Sequence, residues 1–397
     1  MTDPKHRAAV ERARRMKAVV VCDQALPGAA ALFTRFGEVR RYPGEQIDAA
    51  IVRDADILLV RSRTRVDAEL LDASSVAFVG SAVAGRDHID ERYLRERGIA
   101  CLCADGCNAN AVAEYVIITL AHTAVRLQRP LAGQTLAIIG VGHVGRAVAA
   151  KARHLGMRCL LNDPPRAQRE GATAFTELAT CLRNADFISL HTPLTYSGEH
   201  ATFHLLDQRN LTRINPETVL INAARGAVID QNALLRSDLH HLVIDCWDHE
   251  PAIHPEMVRR ALIATPHIAG ASHEARLAGS VMLYQGLCRF LGEQEAAVPA
   301  DLLADAALKT LPPPAGIPAS LAELLAALGD TTAGITAVDR QMRSATNPES
   351  LAQQFVALRR SYDFRHEWRR YAIDGHRLSA GFHQPLQRLE FRIRSPG

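Results

Sequence analysis

Three polar side chains stand just past apolar, strand-like runs in the second half of the sequence. They are Arg225 in "NAARGAVID", Glu250 in "IDCWDHEP" and His267 in "ATPHIAGAS". An imidazole gives and takes a proton near neutral pH. A carboxylate beside it orients the ring and stabilises the imidazolium. A guanidinium forks onto a substrate carboxylate or polarises a carbonyl. Glu250 and His267 lie 267 − 250 = 17 residues apart, at the ends of two successive strand-like runs. Ligands of parallel sheets bind outside the carboxyl ends of the strands, so the spacing brings the two side chains within reach of each other there.

A proton-transfer set of this kind needs an electron acceptor if it is to do redox chemistry, and the sequence supplies a place for one. "IIGVGHVGRAVA" sets Gly140, Gly142 and Gly145 as G-x-G-x-x-G between a strand and a helix. The first glycine permits the tight turn, the second lets backbone approach a pyrophosphate, and the third lets helix and strand pack closely. "RCLLND" closes the next strand with Asp163, 163 − 145 = 18 residues on, where a carboxylate accepts hydrogen bonds from an adenosine ribose. An acid there repels a 2′-phosphate, so the motif predicts NAD rather than NADP.

The elements that must position these residues follow a βαβ rhythm. Buried-strand patterns occur at 17–22, 56–61, 76–82 and 100–104, with helical spacing between them. A long helix starts near Asn108, and the rhythm resumes at 135–140, 158–163, 185–193, 218–224, 241–247 and 261–269. The expected fold class is α/β, with two doubly wound parallel-sheet lobes, flavodoxin-like and Rossmann, and a cleft between them. "SHEARLAGSVMLYQGLCRFLG" reads as an amphipathic helix returning the chain to the first lobe. The "LPPPAGIP" stretch at 311–318 reads as a linker, and beyond it "SLAELLAAL", "ESLAQQFVALRRSYDF", "EWRRYAI" and "LQRLEFRIR" read as a small α+β unit. The expected division is 17–107 with 272–292, then 108–271, then 293–397. The first 15 residues read as a frayed extension. "GRDHID" reads as a helix start capped by Asp87 rather than a metal site, and His240 and His241 as surface residues.

Composition narrows the classes. A hydrophobic fraction of 48% with 22% charged residues is that of a globular chain, and a net charge of +3 with no basic block offers no nucleic-acid surface. The eight cysteines are mostly scattered singly, and Cys101, Cys103 and Cys107 lack paired C-x-x-C spacing, so reduced thiols, no metal and a cytoplasmic location are expected. No apolar run approaches the ~20 residues of a membrane span.

The combination of the glycine motif, Asp163, "HTPL", "NAARGAVID", "DCWDHEP" and "TPHIAG", in that order, resembles the D-isomer-specific 2-hydroxyacid dehydrogenases. "LVRSRT", "GCNANAVAEYV", "NDPPRA" and "FVALRRSYDFRHEW" further resemble the branch that oxidises 4-phospho-D-erythronate on the way to pyridoxal 5′-phosphate. The resemblance implies Arg225, Glu250 and His267 as the catalytic residues, with His267 the proton donor. It implies that His143, Val144, Asp163, Thr192, Ala223, Ala224, Asp245 and Gly270 line NAD, and that Ser62 touches a small phosphorylated 2-hydroxy acid. It also implies a homodimer formed through the C-terminal domain. Arg61 and Arg63 are candidates for the substrate phosphate; so are Arg359, Arg360 and Arg365, for which a solvated basic face is the plainer reading. Two substrate-contacting positions depart from the pattern, with Val83 in place of threonine and Ala271 in place of tyrosine. Losing a hydroxyl weakens a hydroxylated ligand by roughly 0.5–1.5 kcal/mol. That keeps open another 2-hydroxy acid, such as 3-phosphoglycerate, and, from a different class, an NADH-sensing binding protein of the co-repressor kind.

Overall fold

The computed structural model describes residues 4–299, 302, 308–312, 316–345, 347–362 and 365–394. Its contacts separate into two units, Met1–Asn108 with Ser272–Ala307, and Ala109–Ala271 with Leu308–Gly397. Among the described residues no single helix is long and apolar enough to cross a membrane.

The first unit is built on five strands, β1 (Ala18–Asp23), β2 (Gly37–Tyr42), β3 (Ile57–Val60), β4 (Phe78–Ser81) and β5 (Ala100–Cys103). All pair in parallel in the order β2-β1-β3-β4-β5, the flavodoxin-like arrangement. The interior strands β3 and β4 are buried at every position, which is why they read as unbroken apolar runs. β2, "GEVRRY", is an edge strand with no such run, and it went unread in the sequence. The helix His273–Leu291 packs on β4, β5 and the helix Ala29–Phe33, so the chain does return to this lobe.

Two local expectations are corrected in this unit. Residues Pro4–Arg14 form a helix rather than a frayed extension. An isolated helix of that length is marginal; this one is tied down by Arg12, whose Nε donates to Asp56 at 3.0 and 3.1 Å. The helix after "GRDHID" begins only at Glu91, and its N-cap is Asp90, which accepts the Tyr93 N–H at 2.9 Å, not Asp87. Asp87 sits instead in a turn closed by the Ile89 N–H on the Arg86 carbonyl at 2.9 Å, and Ile89 then bridges to Val66, so the helix starts only beyond it.

The second unit carries β6 (Thr135–Ile139), β7 (Arg158–Asn162), β8 (Phe187–Leu190), β9 (Val219–Asn222), β10 (His241–Ile244) and β11 (Ala261–Ala264). They form a parallel sheet in the order β11-β10-β9-β8-β6-β7. Beyond β7, the Thr176 N–H donates to the Leu161 carbonyl at 2.6 Å. The strand order reverses between β6 and β8, and ligands of such sheets bind outside the carboxyl ends at that reversal.

The C-terminal residues of this unit add a three-stranded parallel sheet of β12 (Lys309–Leu311), β13 (Tyr371–Asp374) and β14 (Arg392–Arg394), with β13 central. Leu311 therefore belongs to a strand rather than to a linker, and residues 313–315 of the proline stretch lie outside the described residues. "EWRRYAI" becomes strand only at Tyr371, and the first three residues of "LQRLEFRIR" end the helix Ala380–Arg388, with β14 beginning only at Arg392. The helix Ile335–Met342 covers the edge of β11. Its Asp339 accepts the Ala264 N–H at 2.7 Å, and the adjoining Arg343 donates to the carbonyls of Val258 and Ala261. An edge strand so covered cannot pair with another chain.

These residues join the long helix Ala109–Arg126 through the apolar face of the helix Leu321–Ala333 and through a buried ion pair. Glu114 is fully buried and accepts from Arg365 Nη1 at 2.5 Å, the Trp368 N–H at 2.9 Å and Asn110 at 3.0 Å. Arg365 is only 5% exposed, so the expectation of a solvated basic face fails for it. Burial, with Glu367's charge, pushes the Glu114 carboxyl up to about 7 against the opposing pull of Arg365 and Lys151. A carboxyl raised in this way stabilises the fold most below its unfolded value of about 4.3 and loses that contribution as pH climbs through about 7. Arg365→Met removes the cation that lowers the Glu114 carboxyl, so that near neutral pH the buried group must take up a proton, and the variant is expected to lose about 3–5 kcal/mol there. The loss should shrink at about pH 5, where the carboxyl carries its proton. Denaturant unfolding at the two pH values checks this; an equal loss at both would be inconsistent with it.

Candidate active site

The carboxyl ends of β9, β10 and β11, neighbours in the second sheet, carry Arg225, Glu250 and His267. His267 Nδ1 lies 2.8 and 3.0 Å from the two Glu250 carboxylate oxygens. Glu250 also accepts the Trp247 N–H at 2.9 Å. Burial pushes the Glu250 carboxyl up, but the His267 hydrogen bond and charge, the Trp247 N–H and Arg359's charge together hold it below the usual range. The ring nitrogen next to the carboxylate is thus committed, and Nε2 is the one left to exchange a proton.

His267 adopts φ +57°, a left-handed conformation that costs a non-glycine residue of order 1 kcal/mol. Asp245, which closes β10 and is fully buried, over-determines it. The Asp245 carbonyl accepts the His267 N–H at 2.8 Å, and its carboxylate accepts the Ile268 and Ala269 N–H groups at 2.8 and 3.0 Å and the Thr265 hydroxyl at 2.7 Å. Burial raises the Asp245 carboxyl, opposed by His267's charge and these donors. The geometry makes Asp245 the peg on which the His267 turn hangs.

Arg225 is half-buried, and its Nη1 donates to the Ala224 carbonyl at 2.7 Å. Its loop is pinned from inside the sheet by Asn222, whose amide donates to the carbonyls of Arg225 and Cys246 at 3.0 and 3.2 Å. A Cβ on Gly226 would sit 1.9 Å from the Trp247 backbone, so only glycine lets this loop pass. Asn222, Thr265 and Tyr115, whose hydroxyl lies 2.6 Å from the Thr265 oxygen, were not read from sequence. Each sits in or at the end of an apolar stretch, and its partners lie on other elements.

At the reversal of strand order the three glycines act differently. Gly140 takes φ +90° and abuts the His191 backbone. A Cβ on Gly145 would meet the Gly140 carbonyl oxygen at 2.1 Å. A Cβ on Gly142 would meet no atom of the described residues within 4 Å. That open face lies at the start of the helix His143–His154, whose first turn carries His143 and Val144. Asp163 accepts the Val141 N–H at 2.8 Å, tying the end of β7 to the glycine loop, and caps the helix Pro164–Glu170. Past β8, the Thr192 hydroxyl oxygen is buried with no hydrogen-bond partner among the described residues. Ala223 and Ala224 follow β9, and Gly270 follows the His267 turn. Arg61, Ser62 and Val83 stand at the carboxyl ends of β3 and β4 in the first unit.

Residues 115–269 match the model of the NAD-binding domain of D-isomer-specific 2-hydroxyacid dehydrogenases. The chain is 49% identical over 270 residues to an erythronate-4-phosphate dehydrogenase of Hydrogenovibrio crunogenus, covering 68% of this chain and 72% of that one. It is 39% identical over 381 residues to that of Chromohalobacter salexigens, covering 94% of this chain and 98% of that one. The chain belongs to the erythronate-4-phosphate dehydrogenases, within the D-isomer-specific 2-hydroxyacid dehydrogenase family. A solved NAD-bound 3-phosphoglycerate dehydrogenase of Entamoeba histolytica, 23% identical, shares the fold with a TM-score of 0.61 over 71% of this chain and 98% of its own.

As a member of this family the protein uses NAD, and the cradle fits it. The open space at Gly142 admits a pyrophosphate beside the helix N-terminus, where backbone N–H groups and the helix dipole favour an anion. The Thr192 hydroxyl, buried without a hydrogen-bond partner among the described residues, is a group that a bound cofactor would satisfy. The glycines give a test. Gly142→Ala is expected to leave the unfolding temperature unchanged and weaken NADH binding by roughly tenfold or more, about 1.4 kcal/mol. Gly145→Ala should lower the unfolding temperature itself. Calorimetric unfolding with NADH fluorescence titration separates the two outcomes, and equal destabilisation by both would contradict the geometry.

Proposed function

We propose that the protein oxidises 4-phospho-D-erythronate at C2 to the 2-oxo acid, with NAD as acceptor, in pyridoxal 5′-phosphate biosynthesis. The observation that carries this reading is the likeness to the Chromohalobacter enzyme over nearly the whole of both chains, C-terminal segment included. The Glu250–His267 pair is the geometry that suits it. NAD, when bound, would supply the acceptor for the hydride from C2. His267 Nε2 takes the proton of the C2 hydroxyl, and Glu250 stabilises the imidazolium that forms. Arg225 grips the substrate carboxylate and stabilises charge growing on the C2 oxygen. Arg61, Ser62 and Val83 serve as substrate contacts. Gly140, Gly142, His143, Val144, Gly145, Asp163, Thr192, Ala223, Ala224, Asp245 and Gly270 surround the cofactor, with Asp245 acting through the turn it holds.

The corresponding domains are a substrate-binding lobe of residues 17–107 and 272–292, an NAD-binding domain of 108–271 and a dimerisation domain of 293–397. Ile317, 93% exposed, and Leu308 are apolar surface that a second copy of the chain would cover. A cytoplasmic setting accords with eight free cysteines.

Val83 and Ala271 favour a second reading, in which another phosphorylated 2-hydroxy acid is preferred. Purified protein should form NADH faster with 4-phospho-D-erythronate than with 3-phospho-D-glycerate, with a 2-oxo acid present to re-oxidise bound NADH and the oxidised product assayed directly. Preference for the glycerate would overturn the assignment while leaving the dehydrogenase class intact. His267→Asn is expected to lower kcat by roughly 10²–10⁴-fold with NADH binding retained; full activity in that variant would remove His267 from the mechanism.

A further inference from the structure

Arg359 lies on the helix Pro348–Ser361, more than ninety residues beyond His267 in the chain, yet its Nη1 is 3.5 Å from Glu250 Oε2. The placement is anchored. Leu351 and Phe355 on the same helix are 3% and 1% exposed and belong to the apolar cluster that contains Trp247 and Ile253, which flank Glu250 in sequence. Phe355 and Arg359 are four residues apart and share a helix face, so burying the first delivers the second to the carboxylate. Arg359 and Arg225 both act electrostatically on the buried Cys246 thiol, whose sulfur, a Glu250 oxygen and a His267 nitrogen lie within 4.8 Å of one another. Two guanidiniums thus bear on one small cluster.

We propose that Arg359 is a positioning residue of the dehydrogenase, fixing the Glu250 carboxylate in its two-oxygen contact with His267 and keeping that pair poised to accept the substrate proton. The inference rests on His267 and Glu250 being the proton-transfer pair. The charged and titratable groups facing that pair are Arg359, Cys246 and Asp245, with Arg225 reaching it through Cys246. A neighbouring cation makes it harder to add a proton to the pair. Removing the cation makes protonation easier, so oxidation, which needs the pair unprotonated, then requires a higher pH.

The experiment is the pH profile of kcat for Arg359→Gln and Arg359→Lys in the full-length enzyme, beside the ring titration of His267 followed by ¹⁵N NMR of histidine-labelled protein. For Arg359→Gln the acid limb and the His267 titration should both move to higher pH by roughly half a unit to one unit, since the guanidinium is partly exposed and screened. Maximal kcat should fall several-fold. Arg359→Lys, which keeps the charge, should restore most of both. A uniform fall in kcat with neither titration moved would leave Arg359 a merely structural residue and overturn the proposal. So would a rise in KM alone, which would put the guanidinium on the substrate. His267→Asn separates this inference from the reading beneath it. If that variant stays active, the proton-transfer assignment itself is wrong. If it is inactive while Arg359→Gln titrates as the parent does, only the role of Arg359 falls.

Discussion

A carboxylate sealed from water holds the catalytic end of the second sheet together. Asp245 has no solvent to turn to, so its oxygens must be satisfied by what the fold brings to them: two N–H groups from the turn after His267 and the hydroxyl of Thr265. A buried polar group lacking one partner costs more than the hydrogen bond contributes, so the network is nearly all-or-none. That gives the His267 turn its left-handed backbone without glycine, and it sets where the ring emerges. Thr265 links the arrangement outward, its oxygen shared with Tyr115 of the long helix and its carbonyl taken by the Trp247 indole N–H at 2.8 Å. Trp247 in turn gives its backbone N–H to Glu250. The acid–base pair is therefore suspended from a core network rather than laid on a loop.

Much of this could be read before any coordinates, for a reason specific to parallel sheets. Strands buried on both faces appear as apolar runs, and chemistry collects where such runs stop. Arg225, Glu250 and His267 were legible because each follows a run directly, and Gly140, Gly142 and Gly145 because their spacing has a mechanical meaning. The losses have physical causes too. β2 is a half-exposed edge strand, so its polar sequence hides it. The N-terminal helix depends on Asp56, 44 residues away from Arg12. The cap falls at Asp90 rather than Asp87 because a turn at Arg86–Ile89 and a bridge to Val66, on a distant stretch of chain, delay the helix. Asn222 and Thr265 look like interruptions of strands until their partners on neighbouring elements are seen.

Arginines in the C-terminal segment show how little charge alone says about role. Arg365 and Arg359 are six residues apart in one arginine-rich stretch, and their charge gives both the same reading. The first is buried against Glu114, and the second is 41% exposed beside Glu250. Neither fate follows from residue type. Each is fixed by the apolar neighbour that anchors it, Trp368 for one and Phe355 for the other.

The Glu114–Arg365 pair also carries a consequence for the order in which the molecule comes into being. Its partners are 251 residues apart. A chain growing from its N-terminus presents the long helix, with a carboxylate on the face destined for burial, long before any guanidinium exists to meet it. The helix face that receives Arg365 and Trp368 stays wet until that distant stretch has been made. The dinucleotide-binding half of this protein thus cannot close its core as an early, self-sufficient piece. It waits for a segment of its own chain made well after its last strand.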